Sequence, residues 1–264
     1  MIRLAVAGAA GRMGSRIIAL ASKDDRFQVA AALEASGHPG IGADAGEPAG
    51  IGRIRLPLQD RTETEFDVLI DFSQPAGTMH WLDYCLTRQR AMVIGTTGHS
   101  AEQLTRIEQA ADTIGVLKAA NMSVGVNLML KLAGRIAAAL GDDYDIEIVE
   151  THHRFKVDAP SGTALALRDS IVAATSRDTE KDVVYGRHGP TGRRPGRQIG
   201  IHALRAGDTV GEHEVHFGSL GETVLLKHTA HTRDTFVNGA LRAAAWLARK
   251  PRGRYDMNDV LKSS

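Results

Sequence analysis

Up to Asn121, short apolar runs rich in β-branched residues alternate with stretches whose apolar positions recur every three or four residues. The runs "IRLAVAG", "QVAAALE", "DVLIDFS", "AMVIGTT" and "GVLKAAN" have the length and composition of buried strands. The stretches from Gly11 to about Ser22, from Pro75 and from Ala101 carry the helical period. This alternation predicts parallel strands joined by crossover helices, a Rossmann-like doubly wound sheet. Between Glu34 and Phe66 the rhythm breaks in a Gly/Pro/Ala-rich stretch containing "GHPGIGADAGEPAGIG". It reads as an ordered excursion rather than a linker, with no role that the sequence assigns.

Beyond Asn121 the pattern changes. A helix from about Gly125 to Leu140 precedes a strand "YDIEIVETHH" and a helix starting near Pro160. Strands around "RQIGIHALRAG", "GEHEVHFGS" and "ETVLLKHTAH" then follow with no helix between them. These elements predict an α+β unit with an open, mixed sheet, whose solvent face another subunit would cover. The alanine-rich helix "TFVNGALRAAAWLAR" suits packing against a doubly wound sheet.

With 264 residues and 43% apolar content, two domains of ordinary size are expected. The 32 Lys plus Arg balance 31 Asp plus Glu, so no basic field points to nucleic acid or a membrane surface, and a small-molecule partner is expected. The single cysteine, Cys85 in "WLDYCLTRQ", has no internal disulfide partner and reads as a buried helical residue of a reducing compartment. The N-terminus lacks the features of a signal peptide, and no stretch reaches about 18 uninterrupted apolar residues. A soluble cytoplasmic protein is expected.

"LAVAGAAGRMG" places Gly8, Gly11 and Gly14 after a strand and at a helix start, where backbone N–H groups can approach a pyrophosphate. The spacing is G-x-x-G-x-x-G, and glycines in such a turn can equally serve the turn alone. Glu34 ends the second strand twenty residues after Gly14, where a carboxylate would accept hydrogen bonds from ribose hydroxyls. Loop and acid together point to a nicotinamide dinucleotide. Ala35 follows the acid, so no base stands there for a 2′-phosphate and Arg12 is the nearest alternative, which favours NADH over NADPH. "GTTG" at 95–98 and "AANMS" at 119–123 end later strands, with small residues that would admit the nicotinamide half.

"ETHHRFKVDAPSGTA", residues 150–164, gathers two histidines, a lysine, an aspartate and a Pro-Ser-Gly-Thr turn. Adjacent histidines in an extended chain point to opposite faces, so a metal site is not expected. A triad of Ser161, His153 and Asp158 lacks a nucleophile-elbow context. As plain structure, Asp158 and Ser161 begin the next helix with Pro160 in its first turn. That helix terminus also offers free N–H groups and a hydroxyl to an anion, with Lys156 and the histidines just upstream. The stretch therefore reads as a carboxylate-binding site with proton donors.

Together with "VAGAAGRMG", "DVLIDFSQP", "VIGTTG", "AANMSVGVN", "RAGDTVGEH" and "YDMNDVL", this stretch resembles the 4-hydroxy-tetrahydrodipicolinate reductase family, also called dihydrodipicolinate reductase, over nearly the whole chain. The resemblance implies a dinucleotide-binding domain over 1–123, completed by 234–264, and a substrate-binding and tetramerisation domain over 124–233 of a homotetramer. It implies reduction of 4-hydroxy-tetrahydrodipicolinate to tetrahydrodipicolinate with loss of water by NADH or NADPH, in lysine and diaminopimelate biosynthesis. Catalysis would fall to His152 and Lys156, and substrate binding to His153, Gly162 and Thr163. The cofactor residues would be Gly8, Gly11, Arg12, Met13, Glu34, Gly95, Thr96, Thr97, Ala119, Ala120, Asn121 and Met122. Ala35 and Met122 depart from the commoner Arg and Phe, which bears on cofactor preference. Arg233 in "HTRDTF" could help with the substrate carboxylates, but it reads first as a surface arginine. An amino-acid dehydrogenase acting on aspartate or a catalytically dead NADH sensor would share the first domain, but neither explains the donors of 150–164.

Overall fold

Strand β1 (Ile2–Ala7) shows why the N-terminal runs are apolar throughout. Leu4 and Val6 enter one core cluster with the helices α1 (Arg12–Ala21), α6 (Asp234–Leu247) and α7 (Met257–Lys262). Ala5 and Ala7 enter a second cluster with α2 (Pro75–Arg88) and α3 (Ala101–Ala110). Successive side chains point to opposite faces, and both faces are covered. The computed structural model, which describes residues 1–262, divides the chain into two compact units, Met1–Val124 with the segment from Asp234 onward, and Gly125–Arg233.

In the first unit, β2 (Phe27–Leu33), β3 (Leu58–Gln59), β4 (Val68–Asp71), β5 (Ala91–Ile94), β6 (Gly115–Lys118) and β12 (Gly253–Tyr255) join β1 in a parallel sheet of order β12-β6-β5-β4-β1-β2-β3. This is the Rossmann-like sheet that the alternation predicts. The edge strand β12 was not legible as a strand, because three residues carry too little pattern; it pairs with β6 through Gly253 to Tyr255. The excursion after Glu34 is ordered by one carboxylate. Asp44 accepts hydrogen bonds from the N–H groups of Gly46 (2.9 Å), Ile54 (3.0 Å) and Arg55 (2.6 Å), and the chain returns to the sheet at β3. Cys85 is fully buried, and burial pushes its thiol pKa up, as an inert core residue requires.

The second unit holds a five-stranded mixed sheet of order β11-β10-β7-β9-β8, built from β7 (Asp145–His152), β8 (Val183–Tyr185), β9 (Ile199–Arg205), β10 (Gly211–Gly218) and β11 (Thr223–Ala230). β8, β9 and β7 run parallel, and β10 runs antiparallel to β7 and β11. Ile146, Ile148, Ile199, Ile201, Val215 and Phe217 form one core with Met129 and Ala133 of α4 (Val124–Leu140) and Leu167 and Ile171 of α5 (Gly162–Ala174). The stretch Val124–Asp143, with mean hydropathy 1.3, is long and apolar enough by length and composition to cross a membrane. Lys131 and Arg135 interrupt it, and Met129, Ala133 and Ala137 pack into the core of this unit.

The opposite sheet face carries a charged cluster beside the exposed Leu204 and Leu225. Glu147 accepts from Arg187 (2.8 and 2.9 Å) and Arg194 (2.9 Å) and pairs with His202 at 2.8 Å, while Lys227 bridges Glu214 at 2.7 Å. Burial works against the Glu147 carboxylate, but these partners hold its pKa down to about 2. A depressed folded-state pKa stabilises the unit above the unfolded carboxylate value and loses that contribution as pH falls toward 2. Thermal melts between about pH 5 and pH 2 should therefore fall less steeply for Glu147→Gln than for the native chain.

Gly134 sets the closeness of α4 to α5. A Cβ there would lie 2.7 Å from the Ser170 carbonyl oxygen and 2.9 Å from its Oγ, which donates to the Leu130 carbonyl at 2.6 Å. Gly134→Ala gains about 1 kcal/mol of helix propensity but overpacks a helix contact at a cost of about 1–3 kcal/mol. The net expectation is a lower melting temperature, read by calorimetry.

Candidate functional site

β1 ends in the glycine loop, and the loop is shaped by packing as much as by any ligand. Gly8 has φ of +74°, and a Cβ there would sit 2.5 Å from the Phe72 carbonyl oxygen. A Cβ at Gly14 would sit 2.0 Å from the Gly8 carbonyl oxygen, so α1 can start this close to the loop only with glycine. Gly11 is exposed and is the N-cap of α1 with no side-chain cap, which leaves the first-turn N–H groups to an anion. Arg12 is exposed and Met13 half-buried at that turn. Glu34 braces the loop, accepting from the N–H of Ala10 at 3.0 Å and of Ala35 at 2.9 Å.

Beside this loop lies a cavity of about 490 Å³ lined by Gly8, Gly11, Glu34, Ala35, Asp60 and Trp81 among others. Its described lining residues include two carboxylates and neither lysine nor arginine. The shape, the free helix terminus and Glu34 fit the adenosine half of a dinucleotide.

A residue that sequence reasoning missed organises the neighbouring loops. Asp71, at the end of β4, is fully buried and accepts from Ser73 N (3.0 Å), Ser73 Oγ (2.5 Å), Thr78 Oγ1 (2.5 Å) and Thr96 Oγ1 (2.9 Å). Thr96 Oγ1 also accepts from Ser73 N at 3.0 Å, so its hydroxyl is spent on the fold while Thr97 next to it is exposed. Gly95 is glycine because a Cβ would run into the Phe72 ring at 2.3 Å. In the loop after β6, Ala120 is exposed, and Asn121 accepts from Ser123 N at 2.9 Å. The Met122 side chain is buried in the core, so only its backbone is presented to a ligand. A Cβ at Gly239 would lie 1.8 Å from the Met122 carbonyl oxygen, which is how α6 seats this loop. Arg233 ends the second unit and is exposed.

In the second unit the parity of β7 decides what faces what. Ile146 and Ile148 point into the helix-covered core, and Glu150 and His152 follow at the same parity. Glu150 is fully buried and holds three partners: His152 Nδ1 at 2.5 Å, Arg205 at 2.8 and 2.9 Å, and the Ser161 N–H at 3.0 Å. Burial opposes the Glu150 charge, yet Arg205, His152 and Ser161 hold its pKa below the usual carboxylate value. Burial lowers the His152 pKa; Glu150 pulls it up, and the charges of Lys156 and Arg205 add to the lowering. His213, opposite Glu150 on β10, is driven to about 4 by burial and by neighbouring His152, and its Nε2 pairs with Ser161 Oγ at 3.1 Å.

Ser161 caps α5 by accepting from the Ala164 N–H at 3.2 Å, so the helix begins at Gly162. Pro160 therefore stands before the cap rather than in the first turn, joined by a cis Ala159–Pro160 bond, and Asp158 is three residues too early to start the helix. Asp158 instead holds Lys156 Nζ at 2.7 and 2.8 Å. Gly162 is exposed and Thr163 half-buried in the first turn. His153 leaves the strand and packs beside the Phe155 ring, with Nδ1 buried and without a hydrogen-bond partner among the described residues. The structure thus brings His152, Lys156 and the α5 terminus around one turn. Glu150, Arg205 and His213 join them unforeseen, although the parity of "DIEIVETHH" marks Glu150 as core-facing. Such a turn can bind a carboxylate and move a proton at an imidazole. Among the described residues, no group of three or more His, Cys, Asp or Glu side chains is placed to hold a metal ion.

Comparison with solved structures places the same two-sheet fold in a dipicolinate-bound dihydrodipicolinate reductase from Paenisporosarcina sp. TG-14, at 24% identity over 98% of this chain and 99% of that one, with a TM-score of 0.77. A putative myo-inositol dehydrogenase from Sinorhizobium meliloti 1021 shares the fold more loosely, at 12% identity over 99% and 93% of the two chains and a TM-score of 0.54. Residues 2–122 match the family pattern described as dihydrodipicolinate reductase, N-terminus, and residues 125–261 the pattern described as dihydrodipicolinate reductase, C-terminus. Matched along both halves, the chain belongs to the dihydrodipicolinate reductases, oxidoreductases of lysine biosynthesis.

Proposed function

We propose that this reductase takes NADH in preference to NADPH in its first unit, and holds its dicarboxylate substrate through Lys156, His153 and the N–H groups of Gly162 and Thr163 of its second unit. His152 and Lys156 are the proton donors. The reaction reduces 4-hydroxy-tetrahydrodipicolinate to tetrahydrodipicolinate with loss of water; the bound nicotinamide supplies the hydride. The observation that carries the reading is the turn at 152–163, where an imidazole and an ammonium stand close enough for one charge to shift the other's pKa, beside the first turn of α5. The dipicolinate held by the Paenisporosarcina relative, a flat dicarboxylate, supports the substrate class. Substrate carboxylates would compete with Asp158 for Lys156 and find charge-assisted bonds there.

The cofactor reading rests on Glu34, Ala35 and Asp60 at the adenosine cavity, where a 2′-phosphate would meet two carboxylates and no cation among the described lining residues. Gly8, Gly11, Arg12, Met13 and Glu34 would hold the adenosine and pyrophosphate, and Gly95, Thr96, Thr97, Ala119, Ala120, Asn121 and Met122 the nicotinamide half. Thr96 and Met122 would act through their backbones. Leu204 and Leu225, about half exposed on strands of the five-stranded sheet, support its burial between subunits of a homotetramer, which sedimentation would test. A cytoplasmic location goes with a biosynthetic role and a cysteine kept reduced in the core.

The test follows oxidation of NADH and NADPH by absorbance, with the substrate supplied freshly by a dihydrodipicolinate synthase. The native protein should show the higher kcat/KM with NADH. Ala35→Arg should raise kcat/KM for NADPH by about ten- to a hundredfold, the worth of one charged hydrogen bond of about 1.5–3 kcal/mol. Equal use of both cofactors by the native protein would overturn the preference. Lys156→Ala should lower kcat by about a hundredfold or more, and an unchanged kcat would remove Lys156 from the donors.

A further inference from the structure

We infer that Glu150, clamped by Arg205, is the positioning residue that fixes His152 with its proton on Nδ1 and turns Nε2 toward the reacting molecule. This rests on the reading of His152 as a proton donor and gives that donor its orientation. A carboxylate only accepts, so the 2.5 Å contact between Glu150 Oε2 and His152 Nδ1 requires a proton on Nδ1. Nε2 is then the atom that gains and gives the exchangeable proton.

The carboxylate has no freedom to turn away. Arg205 forks onto both oxygens, at 2.9 Å to Oε2 and 2.8 Å to Oε1, and the Ser161 N–H takes Oε1 at 3.0 Å. Arg205 is itself tied to the Asp158 carbonyl at 2.6 Å. One buried group therefore registers the imidazole against the first residue of the α5 cap, so that donor and anion site keep a fixed spacing. Glycine at 211 keeps that nitrogen uncovered, since a Cβ there would lie 3.0 Å from His152 Nε2. The His213 ring stands edge-on to His152 at a centroid distance of 5.2 Å, and being neutral above about pH 4 it adds no competing charge at neutral pH.

The groups facing His152 are thus Glu150 on its own strand, Arg205 on β9, His213 on β10 and Lys156 with its partner Asp158 on the following turn. Only Glu150 favours the imidazolium among those that shift it. Removing its charge lowers the pKa at which His152 surrenders its proton. The limb of the kcat profile on which activity falls as pH rises should then move to lower pH.

The experiment compares Glu150→Gln, Glu150→Asp, Ser161→Ala and His152→Ala in the full chain, with nitrogen-15 NMR of the histidine rings. The amide of Glu150→Gln can still accept from Nδ1–H but carries no charge. Its kcat should fall at least about tenfold with KM changed far less, its upper limb should shift down by about one pH unit or more, and Glu150→Asp should recover part of both. Ser161→Ala, which breaks the helix cap and leaves the pair intact, should raise KM without moving the limb. The native resting enzyme should show His152 as the Nδ1–H tautomer, and an Nε2–H tautomer would overturn the inference even if Glu150→Gln does not fold. Full kcat in His152→Ala would instead sink the reading of His152. Loss of activity in His152→Ala beside a folded Glu150→Gln with native kcat and pH limb would sink the positioning role alone.

Discussion

A carboxylate placed in a core must find donors, and the two units are each organised around one that has done so. Asp71 ends β4 with no exposed surface and draws in the Ser73 N–H and three hydroxyls from three different segments. Glu150, near the end of β7, draws in an imidazole, a guanidinium and a helix-cap N–H. An unpaired buried charge is far costlier than an unmade neutral hydrogen bond, so the loops around each group have little choice of conformation. The same demand that satisfies the carboxylates therefore shapes the ends of the strands, where ligands bind in open sheets.

Glycine supplies the complementary constraint of space. Gly8, Gly14, Gly95 and Gly239 each stand where a Cβ would meet backbone or a ring within 2.5 Å. The loop that looks built for a pyrophosphate is thus built first for close packing of strand, loop and helix, and its uncapped N–H groups are what such packing leaves over. Structural and ligand-binding readings of "VAGAAGRMG" do not compete; even Gly11, the exposed N-cap of α1, gives its N–H to the Gly8 carbonyl at 3.0 Å.

The parallel sheet was readable because both of its faces are buried, which forces continuous apolar runs, as in β1 and β4. The mixed sheet was readable from alternation, and the same alternation carried the unread signal for Glu150. β12 escaped because a three-residue edge strand has no period to detect; the excursion at 36–65 was readable as ordered but its path was not, because that path is set by Asp44, a side chain whose partners lie up to eleven residues away. Thr96 and Met122 read as ligand contacts by position, whereas their side chains serve the Asp71 network and the core.

The sequence by itself determined the two patterns of periodicity, the glycine loop with Glu34, and the presence of His152, Lys156 and a helix start within one turn, because these follow from spacing along the chain. Only the tertiary structure decided which groups those residues meet. Arg205 and His213 lie 55 and 52 residues from the groups they bond, and strand register sets Arg205 opposite His152 and His213 opposite Glu150, within reach of Glu150 and Ser161. Chemistry set by the local order of residues can be read along the chain, but chemistry set by pairing between strands waits for the register that folding imposes.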